Sequence, residues 1–427
     1  GVMDAVVKKS EIFGNIVIPP SKSQAHRLMI ASFLAGGNFD FGLTGDDVEA
    51  TKDCLDTLKD FIDGKKKKAV LKVGESGSTL RFLLPVVCAL GINAEFRGKG
   101  RLSKRPISEL VEVLRAHGAN IVGDGLPLKT LASQADNCLS CGGLQAGEYR
   151  ISGAVSSQYI TGLLLALPLL DGDSKIVIEG ELVSKAYVDM TLDVLALFGI
   201  KIEKTQNGYS VKGGQKFKNV ADDIEGDWSS ACFPLALGLL TGEVKAAGLK
   251  EDSLQADRAF VEIVKRMGGN IAFEKGKVVA KKSALYGVDF DATGCPDVVP
   301  ILSVLCALAN GKSMIFGVDR LKAKESDRLE AIINLLGKFG VETKYSTNTL
   351  EIFGNGWTSG NKSALLSLGN GKIEIDSYVD HRIAMSGVVI GLATIGARVK
   401  GVECMAKSYP SFLNDIVKIG ANVRLRR

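Results

Sequence analysis

The chain has 427 residues, of which 46% are hydrophobic and 24% charged, and its 53 basic and 48 acidic side chains give a formal net charge of +5. This length favours two domains of about 200 residues each over one compact core. A charge so mildly positive favours small anionic substrates and argues against a duplex-binding protein, which usually carries a basic stripe interleaved with aromatic residues. We therefore expect a globular protein that does not bind nucleic acid.

The eight cysteines and three histidines are scattered along the chain. Cys138 and Cys141 form a lone Cys-X-X-Cys pattern. A metal site of this kind needs a second pair or nearby histidines, so we expect a structural role and no bound metal. Scattered cysteines without a recognisable signal peptide predict a cytoplasmic protein. The longest apolar run, residues 163–170, is too short to cross a bilayer, so we expect no membrane binding.

Two helix patterns recur along the chain, and glycines punctuate them. The first kind has a polar opening, a body of small and apolar residues at helical spacing, and a closing glycine that suits a left-handed cap. It occurs at residues 21–36, 76–91, 154–172, 228–242, 297–311 and 379–396. The second kind is amphipathic and follows the first after a strand-like stretch. It occurs at residues 48–62, 110–121, 188–202, 260–271, 329–341 and 412–423.

The recurrence of these patterns predicts the architecture. Its period of roughly 55 to 80 residues is too long for a solenoid and fits a β-α-β-α-β-β unit. Three units before residue 226 and three after it predict an α/β protein with two domains of three units each. The first helix of each unit is nearly free of charge along its body, so we expect it to be buried with its N-terminus facing an anionic ligand.

Three charged clusters stand directly before apolar helix patterns. They lie at residues 19–27, 323–329 and 380–382. The N-termini of helices bind anions through their free backbone N–H groups and the helix dipole. Three such clusters in one chain therefore indicate an enzyme that handles phosphate and carboxylate groups.

Nine short motifs extend this interpretation, because they follow one another in the order found in a known family. They are Ser21-Lys22-Ser23-x-x-x-Arg27, Gly77-Ser78-Thr79-Leu80-Arg81, Lys104-Arg105-Pro106, Ser156-Ser157-Gln158, Ser184-x-x-Tyr187, Pro296-Asp297, Lys324-Glu325-Ser326-Asp327-Arg328-Leu329, Asp380-His381-Arg382-x-Ala384-Met385 and Ala406-Lys407-Ser408-Tyr409-Pro410. Through them the chain resembles the 5-enolpyruvylshikimate-3-phosphate synthase family (3-phosphoshikimate 1-carboxyvinyltransferases) over essentially its whole length. Each motif is moderately specific by itself, and nine in the family's order are highly specific.

The resemblance implies a fold and a domain division. The family fold is a two-domain inside-out α/β barrel, in which each domain is built from three βαβαββ units. One domain would span residues 20–226 and bind shikimate 3-phosphate. The other, discontinuous over residues 1–19 and 227–427, would carry the phosphoenolpyruvate-binding and catalytic residues. The active site would lie in the interdomain cleft.

The implied reaction transfers the enolpyruvyl group of phosphoenolpyruvate to the 5-hydroxyl of shikimate 3-phosphate. It releases phosphate and serves the biosynthesis of chorismate and the aromatic amino acids. Such a transfer needs an acid, a base and cations for two anionic substrates, and it needs no metal or organic cofactor. Glyphosate inhibits the family, so we expect it to bind here, and we expect a monomer.

The resemblance also implies roles for individual residues. The catalytic set has Lys22 as candidate proton donor, Asp297 as the base on the 5-hydroxyl and Glu325 in proton transfer at the methylene carbon. The shikimate 3-phosphate set is Lys22, Ser23, Arg27, Ser156, Ser157, Gln158, Ser184, Tyr187, Asp297 and Lys324. The phosphoenolpyruvate set is Lys22, Gly77, Arg105, Gln158, Arg328, Arg382 and Lys407.

Simpler roles remain open for some of these residues. Asp297 stands at a predicted helix start, where an aspartate is a common N-cap, and Ser156 and Ser157 suit the same capping role. Tyr187 would be a core residue without the resemblance. Arg81 is either a support of the substrate pocket or a purely structural residue.

The chain departs from the family pattern at two places. Glu75-Ser76-Gly77-Ser78 stands where the family commonly has Asn-Ala-Gly-Thr, so a carboxylate replaces an amide near the phosphoenolpyruvate site. Arg320 stands where many members have an asparagine near the shikimate phosphate. The first departure leaves the response to glyphosate open.

The closest alternative is UDP-N-acetylglucosamine 1-carboxyvinyltransferase, which shares the fold and the chemistry. That enzyme has a reactive cysteine in the loop before its Arg-Pro, and the corresponding residues 98–106 contain none. A non-catalytic domain of a larger aromatic-pathway protein and an RNA-end-processing relative of the fold are further alternatives. Phosphate release with either acceptor distinguishes the two enzymes, and salt-dependent RNA binding tests the last alternative.

Overall fold

The computed structural model describes residues 2–43, 45–132, 143–154, 157–182, 185–220, 224–369 and 372–427. The chain divides into two compact units, each with a hydrophobic core of its own. The discontinuous unit comprises Gly1–Ser21 and Glu225–Arg427, and the continuous unit comprises Lys22–Ile224. No helix among the described residues is both long enough and apolar enough to cross a membrane.

The chain opens with two strands of the discontinuous unit and then builds the whole continuous unit. The opening strands are β1 (Asp4–Lys8) and β2 (Phe13–Val17). The elements of the continuous unit are α1 (Lys22–Leu34), α2 (Asp46–Ile62), β3 (Ala69–Gly74), α3 (Gly77–Leu90), β4 (Ala94–Gly98), α4 (Ser108–Ala116), β5 (Asn120–Val122), β6 (Leu128–Leu131), β7 (Glu148–Ser152), α5 (Ser157–Ala166), β8 (Ser174–Glu179), α6 (Lys185–Leu197), β9 (Ile202–Thr205) and β10 (Gly208–Val211).

The chain then returns to the discontinuous unit. Its remaining elements are α7 (Trp228–Thr241), β11 (Glu243–Ala247), α8 (Ala259–Arg266), β12 (Asn270–Glu274), β13 (Lys277–Lys281), β14 (Asp289–Asp291), α9 (Val299–Leu308), β15 (Asn310–Phe316), α10 (Arg328–Lys338), β16 (Thr343–Ser346), β17 (Thr349–Asn355), α11 (Ser363–Leu366), β18 (Glu374–Asp376), α12 (His381–Ala393), β19 (Ala397–Lys400), α13 (Phe412–Lys418) and β20 (Asn422–Arg426).

The strands form five four-stranded sheets of one plan, in which the first strand is parallel to the second and the last two pair antiparallel. The continuous unit has the sheets β3-β4-β6-β5 and β7-β8-β10-β9. The discontinuous unit has β2-β11-β13-β12, β14-β15-β17-β16 and β18-β19-β1-β20. In the sheet β18-β19-β1-β20, β1 lies between β19 and β20. In the other four sheets this third position belongs to the strand that comes last in its unit along the chain. The predicted fold class is confirmed.

One detail of the predicted fold is wrong, because in the described part of the chain only five of the six expected units have a sheet. Residues 22–62 supply both helices of the first unit, but none of the described residues from 22 to 68 lies in a strand. Helix α2 ends at Ile62 and β3 starts at Ala69, so the chain between them has no room for a hairpin of two strands and a turn.

The uncharged first helices are buried, as predicted. All ten residues of α9 are buried, and in α7 all except Ser229 are. A helix that is apolar on every side is stable only inside a core. Side chains cap three of these helices at their N-termini: Ser76 caps α3, Asp227 caps α7 and Asp380 caps α12.

Candidate active site

Arg328, the first residue of α10, is fully buried and organises the acidic side chains of the discontinuous unit. Its Nη1 donates to Asp297 Oδ1 at 3.1 Å, and its Nη2 donates to Glu325 Oε2 at 2.6 Å. Its Nε donates to Asp380 Oδ2 at 2.9 Å, and Nη2 reaches Asp380 Oδ1 at 3.2 Å. A buried guanidinium needs such partners. One arginine therefore fixes the two predicted acid–base residues, Asp297 and Glu325.

Asp297 lies in a short turn before α9 and does not cap that helix, whose N-cap is Val298. The simpler capping role is therefore wrong. Lys324 Nζ is 3.5 Å from Asp297 Oδ1, and Arg382 Nη2 is 3.9 Å from Oδ2. Burial by itself would raise the pKa of Asp297, but the surrounding cations lower it below its ordinary value. The carboxylate is thus ionised, which is the form that a general base needs.

Glu325 is surrounded by donors. Lys407 Nζ bonds its Oε1 at 2.9 Å, and His381 Nε2 lies 3.7 Å from the same oxygen. Together with Arg328, these neighbours hold the pKa of Glu325 far below its ordinary range, with His381 the largest cause. Burial lowers the pKa of His381, whose Nδ1 is 2.5 Å from Ser408 Oγ. The neutral imidazole is thus held between Ser408 and Glu325.

Glu325, Asp380 and His381 place possible ligand atoms within 4.8 Å of one another, the spacing that a metal ion needs. However, Arg328 already donates to both carboxylates, and Lys407 donates to one of them. Side-chain cations therefore supply the positive charge that an ion would bring, and this cluster does not favour a metal.

Asp380 is the second organiser, although the sequence interpretation assigned it no role. It is fully buried, accepts from Ser326 Oγ at 2.9 Å in addition to Arg328, and caps α12 by accepting from Arg382 N at 2.9 Å. The two residues before it, Tyr378 and Val379, have positive φ angles of 53° and 55°. This backbone conformation is strained for a β-branched residue. The strain lies directly beside the side chain that joins α10 to α12.

Asp257 is a carboxylate that the sequence interpretation missed. It is 7% exposed, accepts a hydrogen bond from Ser229 Oγ and lies in the field of Arg382. Burial raises its pKa to about 6 in spite of that arginine. Burial works to lower the pKa of Arg382, but Asp297, Asp257, Asp227 and Glu325 together raise it. Arg382 thus stands among four carboxylates.

Arg27 is the corresponding buried cation of the continuous unit, on α1. It is 4% exposed, its Nε donates to Thr191 Oγ1 at 2.8 Å, and its Nη1 donates to the Ser23 carbonyl at 2.5 Å. No described carboxylate lies within salt-bridge distance of it. Burial lowers its pKa to about 10. A buried guanidinium without a counter-ion indicates a place for an anionic ligand.

A second set of residues meets at the N-terminus of α3. A Cβ on Gly77 would lie 2.8 Å from Arg105 Nη1, so the guanidinium rests on this glycine. Gln158 Nε2 donates to Ser78 Oγ at 2.8 Å, and its Oε1 accepts from Arg81 Nη1 at 2.7 Å. Arg81 Nη2 also donates to the carbonyl of the residue after Arg105, at 3.0 Å. Arg81 therefore supports this set.

The remaining predicted residues vary in what the structure describes. Ser157 is the first residue of α5 and is buried, whereas Tyr187 on α6 is 47% exposed and is no core residue. Lys22 begins α1, but its side chain lies outside the described part of the structure. The positions outside the described residues are Ser156, Ser184, Cys138 and Cys141.

The two departures from the family pattern are both exposed. Glu75 makes no ion pair among the described residues, and its Oε1 occupies the place where a Cβ on Gly100 would be. Its carboxylate therefore rests against the loop that leads to Arg105. Arg320 donates from Nη1 to the Thr293 carbonyl at 3.0 Å.

Comparisons with known proteins show what this chain is similar to. A family model described as EPSP synthase (3-phosphoshikimate 1-carboxyvinyltransferase) matches residues 6–416. The 3-phosphoshikimate 1-carboxyvinyltransferase of Clostridium kluyveri is 37% identical, over 98% of this chain and 97% of its own. That of Clostridium novyi is 36% identical, over 96% of both chains.

Solved structures show the same fold. EPSP synthase from Acinetobacter baumannii matches with a TM-score of 0.71 at 23% identity and covers 100% of both chains. The enolpyruvyl transferase NikO from Streptomyces tendae matches with a TM-score of 0.55 at 16% identity, covering 100% of this chain and 99% of its own. At these identities the likeness concerns the fold alone.

Proposed function

Because the chain belongs to the EPSP synthase family, we propose that its two residue sets divide the work of the 3-phosphoshikimate 1-carboxyvinyltransferase reaction between them. The reaction transfers the enolpyruvyl group of phosphoenolpyruvate to the 5-hydroxyl of shikimate 3-phosphate. The observation that carries the proposal is the single buried Arg328, which holds Asp297 and Glu325 beside further cations. The relatives' names give the UDP-N-acetylglucosamine alternative no support.

The discontinuous unit supplies the acid–base groups. Asp297, whose lowered pKa keeps it ionised, takes the proton of the 5-hydroxyl as that oxygen attacks the substituted carbon of phosphoenolpyruvate. The methylene carbon gains a proton in the same step, for which Lys22 is the donor that the resemblance implies. The intermediate then loses phosphate while Glu325, also ionised, removes a proton from the new methyl group. Lys324 contacts the hydroxyl region.

Cations of the same unit bind phosphoenolpyruvate. Arg328 already uses four N–H···O contacts on three carboxylates, which leaves one of its five donors for a ligand. Its main work is therefore to hold Asp297 and Glu325. Arg382 and Lys407 carry more of the binding, Arg382 to the substrate carboxylate and Lys407 to the phosphate.

The continuous unit supplies the groups for the acceptor and further groups for phosphoenolpyruvate. Arg27, which has no counter-ion among the described residues, binds the shikimate carboxylate together with Ser23. Ser157, with Ser156 and Ser184, binds the 3-phosphate, and the exposed Tyr187 lines this site. The set Gly77, Arg105 and Gln158 binds phosphoenolpyruvate. We further propose that glyphosate inhibits the enzyme and that the enzyme is a cytoplasmic monomer.

An assay of phosphate release tests the proposal. Phosphoenolpyruvate with shikimate 3-phosphate should release phosphate, and phosphoenolpyruvate with UDP-N-acetylglucosamine should not. Asp297→Ala and Glu325→Ala should each lower turnover by roughly two to four orders of magnitude, which is the usual contribution of one positioned acid or base. Glu330→Ala, which removes an exposed carboxylate from α10, is the matched control and should leave turnover unchanged. Release with the UDP-sugar alone would overturn the proposal.

A further inference from the structure

Four buried polar side chains form a continuous hydrogen-bonded chain inside the continuous unit. His26 Nδ1 lies 2.7 Å from Thr51 Oγ1, and Thr51 Oγ1 lies 2.7 Å from Thr79 Oγ1. Thr79 Oγ1 donates to Ser76 Oγ, also at 2.7 Å. The exposed fractions are 6% for His26, 0% for both threonines and 1% for Ser76. We call these residues the hydroxyl chain.

Each threonine of the hydroxyl chain has a single hydroxyl proton and two acceptor lone pairs, so it can donate to one neighbour and accept from another. Ser76 Oγ accepts from both the backbone N and Oγ1 of Thr79. Thr79 Oγ1 also lies 3.4 Å from the Asp47 carbonyl, so Ser76 and Asp47 both offer acceptors for its proton. Either threonine can donate in the contact between Thr51 and Thr79, and the tautomer of His26 sets its role toward Thr51. The hydroxyl chain thus runs from α1 through α2 to the N-terminus of α3.

Both ends of the hydroxyl chain adjoin residues of the proposed site. His26 precedes Arg27, and the Arg27 guanidinium and the His26 ring both lie against Phe82 of α3, at 4.9 Å and 6.3 Å. At the other end, Ser76 caps α3 and precedes Gly77, on which the Arg105 guanidinium rests. The hydroxyl chain therefore connects α1, which carries Arg27, with the turn before α3, which precedes Gly77.

Packing alone does not require such a chain. A buried polar group costs free energy unless it is fully bonded, and replacing both partners by apolar groups of equal shape is often neutral. Fully bonded buried networks do, however, fix geometry more sharply than apolar contacts. We propose that Thr51 and Thr79 are positioning residues, which hold the α3 N-terminus with Gly77 and Ser78 where phosphoenolpyruvate binds. This inference rests on the proposed function.

Thr51→Val tests the inference, because valine keeps the shape of threonine and removes the middle hydroxyl. The KM for phosphoenolpyruvate should rise roughly three- to tenfold, the effect of one net hydrogen bond, while the KM for shikimate 3-phosphate stays within about twofold. Thr51→Ser keeps the hydroxyl and should restore the parent value. Thr241→Val is the matched control, since Thr241 is a buried, hydrogen-bonded threonine of the other unit. It should change stability and neither KM.

Two further measurements complete the test. The double variant Thr51→Val/Thr79→Val should have the same KM for phosphoenolpyruvate as Thr79→Val alone, because hydroxyls in series are lost together. Amide hydrogen exchange at residues 76–80, which needs no substrate, should accelerate in Thr51→Val and stay unchanged in Thr241→Val.

These outcomes separate the inference from the proposed function. A parent protein inactive on shikimate 3-phosphate would overturn the proposed function, and the exchange data would still decide whether the hydroxyl chain positions α3. An active parent in which Thr51→Val leaves the KM for phosphoenolpyruvate unchanged would overturn the inference, as would independent, additive losses in the double variant.

Discussion

Asp257 carries a cost in stability at neutral pH that one substitution should remove. The carboxylate is almost completely buried, and its neighbours include Asp227, Asp297 and two cysteine thiols as well as Arg382 and Ser229. Its raised pKa means that the effect of burial is larger than the attraction of Arg382, so the ionised carboxylate is less stable in the folded protein than in water. Asp257→Asn keeps the shape and an oxygen that can accept from Ser229, and it removes the charge.

The size of the effect follows from the pKa. The carboxylate has a pKa of about 6 in the folded protein against an ordinary 3.8, and this difference corresponds to roughly 3 kcal/mol. Because the folded pKa is the higher one, the carboxyl's contribution to stability is fully present below pH 3.8 and is lost as the pH rises through 6. Above pH 7 the Asn variant should therefore be more stable by up to roughly 3 kcal/mol, or about 6 to 12 °C in the melting temperature.

Thermal unfolding of parent and variant between pH 4.5 and 8.5 measures this effect. The gain in melting temperature of Asp257→Asn should be large at pH 8 and should shrink steadily below pH 6. Asp252→Asn, in the exposed loop before α8, is the control and should give no difference that changes with pH. A variant less stable than the parent at pH 8, or a gain that is the same at every pH, would refute the reasoning.

Three other substitutions follow from contacts described above. Gly77→Ala places a Cβ 2.8 Å from Arg105 Nη1, so the guanidinium must move. We expect the glyphosate inhibition constant to rise more than the KM for phosphoenolpyruvate, because glyphosate is the longer molecule. Equal increases in the two constants would contradict this expectation. Arg328→Gln leaves three carboxylates without their shared cation and should lower the free energy of unfolding in urea by about 3 to 5 kcal/mol; a loss below about 1 kcal/mol would show that the cluster does not depend on it. Val379→Asn replaces an exposed β-branched residue at φ 55° by one that tolerates this conformation. The substitution should therefore raise the free energy of unfolding by about 1 kcal/mol. A lower free energy of unfolding in calorimetry would exclude strain at this turn.

The sequence was a good guide wherever a motif and its helix are contiguous. Lys324, Glu325 and Arg328 lie within one short segment, so the pattern predicted both the start of α10 and the charges there. The apolar first helices were equally predictable, because their composition leaves burial as the only stable arrangement. The roles of Ser23, Lys407 and all the other site residues in binding and catalysis stay predictions.

What the sequence could not predict depends on contacts between distant segments. Asp257 belongs to no charged cluster, and only the fold brings it beside Ser229 and Arg382. Asp380 was part of a quoted motif, yet its bonds to Ser326 and Arg328 cross more than fifty residues of chain. The residues next to Asp257 or Asp380 in the sequence do not indicate which distant side chains these carboxylates contact.

The missing sheet of the first unit was a different kind of error. The helix pattern of residues 48–62 was correct, and the recurrence of six similar units predicted that strands follow this helix as they do in the other units. The segment between α2 and β3 is too short for these strands, because α2 continues to Ile62 and β3 begins at Ala69. Counting the residues between elements would have corrected the prediction.

The position of β1 has a consequence for the order in which the protein folds. Asp4 pairs with Arg426 and Val7 pairs with Ala397, so the sheet β18-β19-β1-β20 needs both the first and the last strand of the chain. Residues 22–224, by contrast, form one uninterrupted stretch with its own core and can fold while synthesis continues. At roughly 5 to 20 residues per second, the ribosome needs about 10 to 40 s more to add residues 225 to 427, which include β19 and β20. During that time β1 has no partner in its sheet, so this strand is made before the continuous unit and pairs only after that unit has been completed.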